Sequence, residues 1–276
     1  AHGRTIRAKL DATGVDTSCI QVSSAYRTSL SHIVLDKDGE RAIIMAPGST
    51  SDISAEVVRG SFGGALAAAK IATTEISQLP LDAVEELLTS SAGLGMLDVD
   101  VPPSVASTDA NLGDLHAVLR CARACDVLKP TMGAAAELLA LAATEGATCS
   151  ADEAGIEPVD ESDIVGVAQR LQGAFGVGMV AVTDGSKGAG FATASGVSAL
   201  VPAFGGVQQI DATGAGDAFF GGMVAGLYRH CDAQLPETEE QLIAIGKMAS
   251  AAGAACCEVV GALPVEGVSE ARVKGF

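Results

Sequence analysis

Residues 207–227 read VQQIDATGAGDAFFGGMVAGL, and their types and spacing could do chemistry. An apolar stretch stops at Asp211, passes through Thr213-Gly214-Ala215-Gly216-Asp217 and continues in small and apolar residues at helical spacing. Two glycines one residue apart free the backbone where it turns into a helix. The first N–H groups of a helix lack intrahelical partners, and with the helix dipole they form a cradle for an anion. Asp217 would repel a phosphate resting there. Its carboxylate makes sense facing a hydroxyl whose proton must leave while the amides hold charge on a transferring group. The plainer alternative is a Gly-rich loop whose helix starts with an acid, which the dipole favours.

A second stretch is Val180-Ala-Val-Thr183-Asp-Gly185-Ser186-Lys187-Gly188. It reads as a buried strand running out into a turn. A hydroxyl, flexible backbone and one cation then lie at a strand's carboxyl end, the edge where open α/β sheets bind ligands. Alone it is equally a strand ending in a turn. A third is Asp126-Val-Leu-Lys129-Pro130-Thr131, and a fourth is LDVDV, which puts Asp98 and Asp100 at another strand end. There is no G-x-x-x-x-G-K-[ST], and Phe219 stands where a dinucleotide fingerprint needs Gly or Ala.

The elements that must position these groups alternate. Thr5 to Ala12 has helical character, ending at Gly14. Residues 28–36 and Arg41 to Met45 form a polar hairpin around Asp38-Gly39, a flap or interface element of about residues 20–50. Leu66 to Ile71 reads as a strand, Leu81 to Leu88 as a helix and Gly95 to Val99 as a buried strand. A helix over Leu112 to Ala124, a strand over Asp126 to Leu128 and a helix over Met132 to Ala143 follow, then a polar loop over 145–157. Beyond it come the helix Glu161 to Phe175, the strand Val177 to Thr183, the short strands Gly190 to Ala194 and Val197 to Val201, the glycine turn with its helix to His230, and a helix over Glu237 to Cys256. Such alternation implies one α/β domain over 1–276, a mostly parallel sheet with helices on both faces.

Asp211-Ala-Thr-Gly-Ala-Gly-Asp217, followed by Ala218-Phe219, closely resembles the carboxy-terminal signature of the ribokinase (PfkB) family of carbohydrate kinases. The resemblance implies a three-layer ribokinase-like fold with a small β-flap near the amino end. It also implies an ATP-dependent kinase acting on a hydroxyl of a sugar or related polyol. Asp217 would be the base, and Gly214, Ala215 and Gly216 the anion hole. Thr183, Gly185, Ser186 and Gly188 would contact ATP, with Lys187 near phosphate, and Asp211 and Thr213 would belong to the same nucleotide site. The family commonly has Lys-Pro-Asn-x-x-Glu where this chain has Thr131 and Ala134, with Glu137 three residues late. Asp98 and Asp100 would then supply oxygens for Mg²⁺, which needs only one or two carboxylates beside phosphates and waters. Ser250 falls where an Asn near the adenine is usual, and Gly261 in the monovalent-cation loop. Arg27, Thr28, Gly48 and Ser49 fall where the flap and its following loop touch the sugar. The family's opening strand with its sugar-binding Asp and Gly-Gly turn does not precede Gly14, so the resemblance implies either a fragment or a shortened, inactive gene product. The alternatives are a non-catalytic nucleotide-binding or scaffold protein on the same fold and a nucleoside kinase of the same superfamily.

Composition bounds the partners. Hydrophobic residues make up 48% of the 276, enough for a sizeable core, while aromatics at 3% point to close packing of small side chains. A net charge of −17 argues against nucleic acid, whose phosphates need clustered Lys and Arg. A small phosphate-bearing ligand needs only a local cradle. The seven cysteines include no Cys-x-x-Cys or Cys/His zinc spacing and read as buried hydrophobes of a reducing compartment, cytoplasm or an organelle's stroma or matrix. Gly or charge breaks every long apolar run, so no membrane helix is expected. The expected partners are ATP, a small sugar or polyol, and a second copy of the chain through the flap.

Overall fold

The structure, a computed structural model, describes residues 2–35, 41–144 and 160–262. Helix α1 (His2–Ala12) buries none of its residues and leads to a two-stranded antiparallel ribbon, β1 (Leu30–Leu35) with β2 (Arg41–Ala46). The Asp38-Gly39 turn between them and the loop expected over 145–157 lie outside the described residues. The ribbon is less polar in space than in sequence. Leu30, Ile33, Val34, Ile43, Ile44 and Met45 are all exposed along it.

Short helices α2 (Ala55–Val57) and α3 (Gly63–Ala68) flank one widened helical turn, Val58–Phe62, and precede strand β3 (Ile71–Glu75). Here the strand expected over Leu66 to Ile71 is corrected. Its front half, Leu66-Ala-Ala, is helical, since alanine favours a helix and carries no period-two signal. The strand begins only at Ile71 and runs through Thr73 and Thr74, whose branched side chains suit a pleat.

The remaining elements follow the expected alternation: α4 (Leu81–Ser90), β4 (Leu94–Val99), α5 (Leu115–Ala124), β5 (Val127–Pro130), α6 (Met132–Thr144), α7 (Ile164–Phe175), β6 (Met179–Thr183), β7 (Ala189–Thr193), β8 (Ser198–Val201), α8 (Ala215–Cys231) and α9 (Glu239–Cys257). The main sheet has the order β3-β4-β5-β6-β7-β8. Strands β3 to β6 run parallel, and β7 and β8 extend the sheet antiparallel. Alternate residues sort to opposite faces. Leu97, Leu128, Val180 and Val182 join the core under α4 to α7, whereas Met96, Val127, Met179 and Ala181 join the core under α8 and α9. Three layers result.

Helices α8 and α9 approach closely because glycine lines their crossing. A Cβ on Gly222 would lie 2.7 Å from Ala249 Cα, and one on Gly226 would lie 3.0 Å from Ile245 Cα. A capping box fixes the start of α9. Gln241 N–H donates to the Thr238 hydroxyl, and the Gln241 side chain accepts from the Thr238 amide. Among the described residues no helix is long and apolar enough to cross a membrane.

Candidate active site

The parallel strands end on one edge of the sheet, and their last residues stand abreast. Glu75 is in register with Asp98, Asp98 with Lys129, and Thr131 bridges to Thr183. Residues in register share a face, so Glu75, Asp98 and Lys129 close the row begun by Met96 and Val127 on the side of α8. Asp98 and Lys129 are fully inside, at 5% and 1% exposure. The Lys129 ammonium donates to both Asp98 oxygens, at 2.9 and 3.0 Å. Burial nevertheless pushes the Asp98 carboxyl up to about 7 against the pull of Lys129, and the nearby charges of Asp100 and Asp217 add to the rise.

Asp100, just past β4, keeps part of its surface open and accepts from the Ser77 hydroxyl at 3.2 Å. The same hydroxyl reaches Glu75 at 2.7 Å, and Glu75 also accepts from the amides of Ser77 and Gln78. Lost solvation raises both carboxyls. The Gln78 amide donates to Met45 Sδ at 2.8 Å, which ties the ribbon to this acidic edge.

The glycine turn closes the site from the α8 side. Gly214 is the N-cap, with φ +82°, a left-handed conformation that suits glycine, and it sits against Ala262. Asp211 is buried and holds the turn from behind, accepting from Thr213 N–H at 2.8 Å and from Gly261 N–H at 2.9 Å. The Ala215 amide donates to the Ala212 carbonyl at 3.2 Å, whereas no described backbone acceptor takes the amides of Gly216 and Asp217. These two residues are exposed. Thr213 Oγ1, by contrast, is buried without a hydrogen-bond partner among the described residues. Open amides at a helix start suit an anion, and an orphaned buried hydroxyl belongs to the same turn.

The β6 turn is mixed. Thr183 is half-buried, with Oγ1 3.5 Å from the Pro130 carbonyl, and Gly185 and Ser186 are exposed. Lys187 pairs with Asp184 at 2.7 Å. Gly188 is buried with φ +100°, and a side chain there would run into the Val201 carbonyl, so its glycine is explained by the fold. Ser250 is buried on α9, and on the same helix Gly253 faces the Ala215 carbonyl. At the foot of the ribbon, Ser49 N–H donates to the Arg27 carbonyl at 2.8 Å, Gly48 lies against that carbonyl and Thr28 is half-buried beside them.

Magnesium has few free ligands. Ala134 is apolar and wholly buried, and Glu137 is engaged with the amide and hydroxyl of Ser104, at 2.8 and 3.1 Å. Both Asp98 oxygens are taken by Lys129, which leaves Asp100 as the open carboxylate. Among the described residues no three His, Cys, Asp or Glu side chains are grouped to hold a metal ion unaided. Nucleotide-bound Mg²⁺ needs no such cage, so the edge fits one ion carried by phosphates and waters beside Asp100. Reading the sequence missed the Lys129–Asp98 pair and the Glu75–Ser77–Asp100 cluster. A lysine opening Lys-Pro-Thr at a strand end was the available sign of the first.

The profile of the pfkB family of carbohydrate kinases matches residues 1–266. A ribokinase from Haemophilus influenzae is 28% identical over 225 residues, 82% of this chain and 64% of its own length. The chain thus spans less than two thirds of that relative. Fructokinase-2 from Oryza sativa is 37% identical over 89 residues, 32% of this chain and 25% of that one. Among solved structures, ribokinase from Giardia lamblia superposes with a TM-score of 0.72 at 19% identity, covering 100% of this chain and 78% of that one. A putative ribokinase II from E. coli, in complex with ATP and Mg²⁺, gives 0.70 at 21% identity, covering 99% and 80%. These likenesses identify the fold as ribokinase-like. With the profile spanning almost the whole sequence, the chain belongs to the pfkB family of carbohydrate kinases.

Proposed function

We propose that this protein transfers the γ-phosphoryl group of ATP to a hydroxyl of a sugar or small polyol. The observation that carries this reading is the exposed Asp217 in the first turn of α8, beside the unclaimed amides of Gly216 and Asp217. The hydroxyl oxygen attacks the γ-phosphorus, the bond to ADP breaks, and the hydroxyl proton passes to Asp217. Gly214 lets the turn close, and the free amides stabilise charge on the moving group. The transition state is loose, so orienting the hydroxyl is the larger part of the Asp217 role. Thr183, Gly185, Ser186 and Thr213 face the nucleotide, and Gly48, Ser49 and Thr28 the sugar. Asp100 would hold Mg²⁺, which when bound would offset the charge of the ATP phosphates, while Asp98 is committed to Lys129. Gly261, tied to Asp211, marks a loop for a monovalent cation. Two copies associate through their exposed ribbons.

Sugar-dependent ADP release over a panel of sugars, polyols and nucleosides tests the proposal. Asp217→Asn should lower kcat by about 10² or more while ATP still binds. Unchanged turnover in that variant removes Asp217 from the reaction. The rival reading, a nucleotide-binding protein without catalysis, draws on Ala134 and on Glu137 held by Ser104. ATP binding with no acceptor turned over would favour it.

A further inference from the structure

Four carboxylates, those of Glu75, Asp98, Asp100 and Asp217, gather at this edge and act on one another electrostatically. An anion approaching the α8 amides meets that field. Lys129 is the cation buried within it, and its position is specific. If Gly216 carried a Cβ, the Lys129 ammonium would lie 3.4 Å from it, and no other atom outside the turn comes within 4 Å. Asp98 has no atom within 4 Å of that position, so the ammonium is the end of the pair nearer Gly216. The pair is polarised, with its positive end under Gly216.

A buried lysine is costly unless paired, and apolar side chains fill equivalent sites well. Apart from Asp98 and Glu75, the strand residues on this face of the sheet are apolar, Met96, Val127, Met179 and Ala181 among them. Packing alone gives no reason for an ammonium here.

We propose that Lys129 is a positioning residue of the α8 cradle: its ammonium, held by Asp98 beneath Gly216, offsets the surrounding carboxylates so that the free amides can take a phosphoryl anion. This rests on the kinase reading of the same site. Lys129 itself is enclosed, so its charge is screened less than that of a surface lysine, although the amides above it open to water. Lys129 moves no proton and makes no contact with the reacting atoms.

The test replaces the pair together, Lys129→Met with Asp98→Asn, which leaves no lone charge buried. Lys129→Met with Asp98→Leu serves if the first does not fold. Thermal melting checks folding, and the Lys129→Arg variant keeps the charge. Two quantities are measured: kcat and KM with the best sugar, and the affinity for inorganic phosphate followed by its phosphorus NMR signal. The neutral pair should lower kcat by about 10-fold, with the sugar KM little changed, and weaken phosphate about 5-fold or more. Lys129→Arg should retain most of both. A folded neutral pair with unaltered kcat and phosphate affinity overturns the proposal, as does a Lys129→Arg variant impaired as severely as the neutral pair. Should the unmodified protein turn over no acceptor, the kinase reading fails, while the phosphate titration still decides the role of Lys129.

Discussion

Asp217 and Asp98 lie close to one glycine turn and differ in their access to water. Asp217 stands in solvent, whereas Asp98 is enclosed and its carboxyl is raised from 3.8 to about 7. Between those values the folded chain holds a proton that the unfolded chain has released. Stability therefore falls as pH rises through that window, by at most about 1.4 kcal/mol per pH unit from this group. Urea midpoints should decline from pH 4 to pH 7, and Asp98→Asn should flatten part of the slope. The raised carboxyls of Glu75 and Asp100 carry the same sign and keep the remainder. This pairing also shows what the sequence left out of sight. The DATGAGD turn was legible because it is local, seven consecutive residues at one helix start. Asp98 and Lys129 are 31 residues apart, and only the register of β4 and β5 makes them neighbours, so Asp98 reads in sequence as a metal ligand.

At the scale of elements, the helices α8 and α9 form one unit because glycine at their crossing lets the backbones approach. Gly222→Ala puts a Cβ 2.7 Å from Ala249 Cα and should cost about 1–3 kcal/mol in thermal or urea unfolding. Gly221→Ala, one position along, meets nothing within 4 Å on an exposed face and should instead stabilise by about 0.5–1 kcal/mol. The opposite signs check the crossing. Strands such as Met179–Thr183 were legible because an unbroken apolar run flanked by turns fits a strand buried on both faces. Residues 63–71 were not, since GGALAAAKI lacks both the helical and the strand period and only tertiary packing decides between them.

The whole molecule carries 17 more acids than bases, a charge that opposes association. Against it stands the ribbon, with Val34 at 57% and Ile44 at 62% exposure on one two-stranded sheet. If the ribbons pair, Ile44→Asp should shift the protein from dimer to monomer in sedimentation velocity, and raising the salt should strengthen the unmodified dimer. A monomer at all concentrations in the unmodified protein would remove this association.

Asp211 is a single carboxylate shared by the front of α8 and the loop that follows α9. Opening that loop strips a buried acid of one of its donors, so the loop opens at a cost set by the turn in front of it. In deuterium exchange the Gly261 amide, though outside any helix, should keep its proton about as long as the first protected amides of α8, and Asp211→Ala should release it.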